Sequence, residues 1–109
     1  MPTWAVSVGV IYGATAPRYG PAFTVPAFRP VLLEITVAPA HPNGKTYLER
    51  SIEGGAWVRI GPHNTDAASR EWLRVTGPRP GQRVAYRVNV VAAAGHANSW
   101  SKPVVFTGA

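Results

Sequence analysis

Apolar and polar positions alternate along most of this chain, and no window carries a helical stripe. Trp4, Val6, Val8, Val10 and Tyr12 share one parity against Ala5, Ser7 and Gly9, which predicts a half-buried strand. The pattern then breaks. From Gly13 to Pro30 the chain carries Pro17, Pro21, Pro26 and Pro30, with Tyr19, Phe23 and Phe28 between them. Proline fixes φ and removes a donor, so this stretch is expected to run extended across a surface. Alternation resumes with Val31, Leu33, Ile35 and Val37, followed by a loop from Pro39 to Gly44. Lys45 to Ile52 and Ala56 to Ile60 flank Glu53-Gly54-Gly55 as a hairpin, and Gly61 to Ser69 reads as a polar loop. Arg70 to Thr76 carries Leu73 and Val75, Arg83 to Ala92 sets Val84, Tyr86, Val88 and Val90 on one face, and Val104 to Thr107 closes the chain. Short alternating strands separated by turn signals predict an all-β, antiparallel two-sheet sandwich.

Two stretches sharpen that expectation. Pro80 to Thr107, PGQRVAYRVNVVAAAGHANSWSKPVVFT, is a proline turn, a tyrosine-bearing strand, a small-residue turn and a W-S-x-P-V segment. Thr46 to Ile60, TYLERSIEGGAWVRI, is a strand, a turn and a following strand. Together they resemble a fibronectin type III module over about residues 31 to 107. The resemblance implies an immunoglobulin-like sandwich for residues 31–109, with residues 1–30 as an added N-terminal strand and Pro-rich extended arm. It also implies that Trp100 of the W-S motif stacks on an arginine of the neighbouring strand, here Arg87, since Arg83 and Arg87 have the parity opposite to the apolar face. Two departures stand out: the turn before Tyr86 is longer than the usual spacing, and residues 1–30 exceed one ordinary first strand.

Length and composition narrow the functional classes. A chain of 109 residues is one domain with little room for a deep cavity beside a core. With no cysteine, disulfides and thiolate zinc sites are excluded. Eleven Lys and Arg against five Asp and Glu give +6, which favours acidic partners. The arginines are scattered from Arg18 to Arg87, so no dedicated nucleic-acid footprint is visible. No apolar run reaches the ~18 residues of a membrane span. The apolar start from Trp4 to Ile11 lacks a preceding Lys or Arg and is read as retained structure rather than a signal peptide.

Candidate chemistry is sparse. The acids are Glu34, Glu49, Glu53, Asp66 and Glu71, and the histidines His41, His63 and His96 show no H-x-H or H-x-x-x-H spacing, so no metal site, cofactor or catalytic residue is expected. Ser69, His63 and Asp66 lack a strained nucleophile turn. Binding residues are better candidates. Arg18, Tyr19, Phe23, Phe28 and Arg29 on the arm are expected to meet a protein partner, unless the arm folds back over its own sandwich. Trp57, expected half-exposed at a sheet edge, and Arg59 are the candidates for a ligand. Trp72 or Leu73 is expected in the core.

A single basic sandwich with an aromatic arm looks like the accessory proteins of bacteriophage particles, and abundant Ala, Gly, Pro and Arg suits a phage of a GC-rich host. The leading expectation is a non-enzymatic virion protein that decorates a capsid or tail by docking on its repeated major protein. The alternative is an extracellular surface-adhesion module that binds glycan or an acidic polymer.

Overall fold

Two sheets built from the alternating segments enclose one apolar interior. The structure is a computed structural model that describes residues 1–109. Its strands are β1 (Ala5–Ile11), β2 (Ala22–Val25), β3 (Pro30–Ala38), β4 (Lys45–Ile52), β5 (Val58–Asn64), β6 (Arg70–Thr76), β7 (Arg83–Val90), β8 (Ser99–Trp100) and β9 (Val104–Gly108), and there is no helix. One sheet has the order β1-β3-β6. The other has the order β2-β9-β7-β4-β5, with β8 paired to β7. All neighbours are antiparallel except β2 on β9, which is parallel.

The strand parities place the core. Val8, Val10, Leu33, Ile35, Leu73 and Val75 face inward from the smaller sheet. Leu48, Val84, Tyr86, Val88, Val90, Val104 and Phe106 meet them from the larger one. Each such side chain contributes about 1.5–3 kcal/mol by leaving water. Leu73 is therefore the core residue of its pair, while Trp72 points outward and is half-exposed.

Residues 1–30 pair with the rest of the chain along both sheets. β1 runs beside β3 from Ala5 opposite Ala38 to Ile11 opposite Leu32. β2, which the proline pattern concealed as extended arm, lies on β9 from Ala22 opposite Val105 to Val25 opposite Gly108. Pro21 and Pro26 bound β2 without interrupting it, so the four residues between them keep their donors. Between these strands the chain doubles back: Val10 and Arg18 exchange both backbone hydrogen bonds, at 2.8 and 2.9 Å. This approach requires Gly9, because a Cβ there would lie 2.7 Å from the Pro17 Cβ.

Two boundaries differ from the sequence expectation. The expected loop at Gly61 is still strand, since β5 runs to Asn64. Gly61 and Pro62 fall where the register shifts between Ile60 opposite Leu48 and His63 opposite Thr46, and an edge strand tolerates a proline there. β7 stops at Val90, earlier than expected. Beyond it Ser99 and Trp100 pair back onto Asn89 and Val90 as β8.

Candidate functional site

The outer face of the larger sheet gathers the most conspicuous polar and aromatic side chains. Glu49 on β4 lies opposite Arg59 on β5 and Arg87 on β7. Arg87 Nε donates to Glu49 Oε1 at 2.7 Å, and Arg59 Nη2 donates to Oε2 at 3.0 Å. Arg59 also reaches Asn89 Oδ1 at 3.3 Å. Each guanidinium covers an aromatic ring, Arg87 over Trp57 at 4.2 Å and Arg59 over Tyr47 at 4.4 Å. Burial alone would raise the Glu49 carboxyl, but the hydrogen bonds and charges of Arg87 and Arg59 outweigh it and hold the carboxyl below the usual range. The Arg87 cation thus covers the ring of Trp57 and not that of Trp100. Register explains the correction: Glu49 draws Arg87 toward β4 and the β4–β5 hairpin, whereas Trp100 sits opposite Asn89. Trp57 and Arg59, the expected ligand pair, spend one ring face and one charge inside this network.

A second feature lies along the free edge of β1. Trp4 to Val8 form one wall of an open slot of about 640 Å³, and Trp100 to Val104 form the other, with Tyr19, Gly20 and Pro21 at one end. The backbone on the β1 side is incompletely paired. Val10 directs both its N–H and C=O away from β3, to Arg18, and Trp4 of the same parity donates its N–H to Ser99 Oγ at 2.9 Å. Val6 and Val8 share that parity, and neither makes a backbone hydrogen bond outside the strand ladders. Their N–H and C=O groups face the slot. Lys102 is the one charged residue lining it, and Tyr19 and Trp100 stand exposed at its rims.

At the start of β1, Trp4 is buried between two imidazoles, with ring centroids 4.2 Å from His41 and 4.4 Å from His96. Ala97 donates its N–H to the Pro2 carbonyl beside it. Alternation marked Trp4 as inward-facing, but nothing in the sequence marks the two loop histidines as its neighbours. His63 lies elsewhere, on β5 opposite Thr46. No cluster of three His, Asp, Glu or Cys side chains comes together. Glu71 reaches into the sandwich and accepts a 2.6 Å hydrogen bond from Thr46 Oγ1. Burial raises its carboxyl, and the Thr46 bond and the His63 charge only partly oppose this.

The arm residues expected at a partner do not form one patch. Phe23 turns inward, edge-on to Tyr12 at 6.5 Å and 6.4 Å from Phe106, because β2 parity sends it and Val25 toward the core. Arg18 lies over the Tyr12 ring at 4.2 Å and donates to the Tyr12 carbonyl at 2.8 Å. Tyr19 is 60% exposed at the slot. Phe28, 68% exposed, sits with Arg29 beside Gly77, where Phe28 donates its N–H to the Gly77 carbonyl and Gly77 donates to Arg29. No protein-family model matches the chain, and no curated protein shows significant similarity to it.

Proposed function

We propose that this chain is a non-enzymatic protein-binding module, an immunoglobulin-like sandwich of the fibronectin type III kind that docks on a repeated protein surface such as a bacteriophage capsid or tail. The strand order supports the finer fold reading: β1, β3 and β6 take the places of strands A, B and E, and β5, β4, β7 and β9 those of C′, C, F and G. The observation that carries the functional reading is the presentation of Tyr19 and Phe28. Both are largely exposed, yet Phe28 is tied in cis by its N–H to Gly77, and Tyr19 directly follows Arg18, whose backbone is bonded to Val10. Phe28 is held at a φ of 60°, a conformation that costs a non-glycine residue about 1 kcal/mol or more. Aromatics fixed before contact lose little entropy on docking, and repetition over a lattice multiplies weak contacts into avidity.

The test is sedimentation of purified bacteriophage particles, and of capsid and tail assemblies separately, with the purified protein added. Co-sedimentation at regular stoichiometry is expected, with reduced occupancy for Tyr19→Ala and Phe28→Ala. A chain that stays entirely with the soluble fraction overturns the reading.

A further inference from the structure

We infer that the slot beside β1 receives an extended, acidic segment of the partner protein, which adds to β1 as a strand. The inference rests on the reading of the chain as a protein-binding module and names where and how the partner is held. Five strands have an open edge, β1, β6, β2, β5 and the two-residue β8. Natural sheets blunt such edges with charge, proline, bulges or brevity. β6 carries Arg70, Glu71 and Arg74; β5 carries Arg59, Pro62 and its register shift; β2 is four residues long between Pro21 and Pro26. β1 from Ala5 to Val8 has none of these devices. Its free groups are also bracketed: Trp4 is paired to Ser99 below them and Val10 to Arg18 above them. The unpaired Val6 and Val8 stand about 7 Å apart at ~3.3 Å per residue, within reach of a short added strand.

Charge selects the occupant. No Asp or Glu lines the slot, Lys102 does, and the chain as a whole carries +6. An extended segment that bonds Val6 and Val8 through its backbone would place alternate side chains between Tyr19 and Trp100, with a carboxylate opposite Lys102. Main-chain bonds supply affinity in such additions, and side-chain fit supplies selectivity.

The probe is a fluorescein-labelled octapeptide of alternating glutamate and valine, with the lysine–valine counterpart as control, titrated against the full chain by anisotropy and followed by amide NMR. The acidic peptide is expected to bind in preference to the basic one and to shift and protect the Val6 and Val8 amides. Lys102→Glu is expected to weaken it about two- to fivefold. Val6→Pro, which removes a donor the β1–β3 ladder does not use, is expected to weaken it about tenfold or more. Because that variant can fail to fold, the amide shifts of the unaltered chain decide independently. Equal binding of both peptides, no binding, or shifts confined to residues around Trp57 would overturn the inference. So would a dimer dissociated by Val6→Pro, since the occupant would then be a second copy. Particles that retain the Lys102→Glu and Val6→Pro variants at full occupancy would refute the slot while leaving the docking function standing. Failure of the unaltered chain to sediment with particles would refute the function itself.

Discussion

The outer face of the larger sheet and the edge of β1 divide the recognition features of this molecule in opposite ways. The face holds Glu49, Arg59, Arg87, Tyr47 and Trp57, and its one carboxylate and both guanidinium groups are engaged with one another and with the rings in two ion pairs and two cation–ring contacts. The slot holds one charge and mostly small or apolar residues, yet it leaves backbone donors and acceptors without partners. Chemical conspicuousness and availability are therefore different properties. An internally paired network rigidifies the sheet that carries it, whereas an unpaired edge in a rigid frame is a place for another chain.

The largest way to break this contrast is to remove residues 1–30. Deletion strips β1 and β2 from both sheets and takes Trp4, Val8, Val10 and Val25 out of the core, so loss of the cooperative thermal transition is expected by circular dichroism. A cooperative melt of residues 31–109 would show that the N-terminal strands are an ornament. Next in size is Trp4→Ala, which empties the site between His41 and His96 and is expected to cost about 3–5 kcal/mol in denaturant unfolding.

Substitution on the ion-paired face should cost less. Glu49→Gln leaves Arg59 and Arg87 without their shared anion, but both arginines are partly solvated, so a loss of about 1 kcal/mol is expected. The loss depends on pH in a definite direction. Glu49 is held below its ordinary value, so its contribution is present above the unfolded carboxylate value of about 4.3 and disappears as pH falls through the lower folded value. Glu71 behaves oppositely. Its carboxyl is raised by burial, so stability is lost as pH rises through its folded value, and Glu71→Gln is expected to stabilise the protein at neutral pH while matching it in acid. Parallel pH profiles of the two variants would contradict these assignments. The smallest effect belongs to the slot rim: Tyr19→Ala and Trp100→Ala should change stability by about 0.5 kcal/mol or less, since both side chains are exposed.

The strands of the sandwich were legible because one face of each is buried, which writes period-two alternation into β1, β3, β4, β6 and β7. β2 was hidden because its four residues are too short to show a period and are flanked by prolines. The arm's aromatics could be named but not oriented, and Phe23 faces the core only because β2 has a register on β9. Arg87 could be given an outward direction from parity, but its choice of Trp57 over Trp100 depends on the pull of Glu49 across β4. The slot was invisible for a deeper reason. It is defined by which backbone groups lack partners, and that follows from how Arg18 and Ser99 meet β1 rather than from any side chain of Val6 or Val8.

The most direct test of the unpaired edge is residue-resolved amide exchange along β1 in the free protein. Slow exchange at Ser7, Gly9 and Ile11 and fast exchange at Val6 and Val8, within one strand, is the predicted result. Uniform protection from Val6 to Ile11 would mean that the edge is already occupied and would contradict the account.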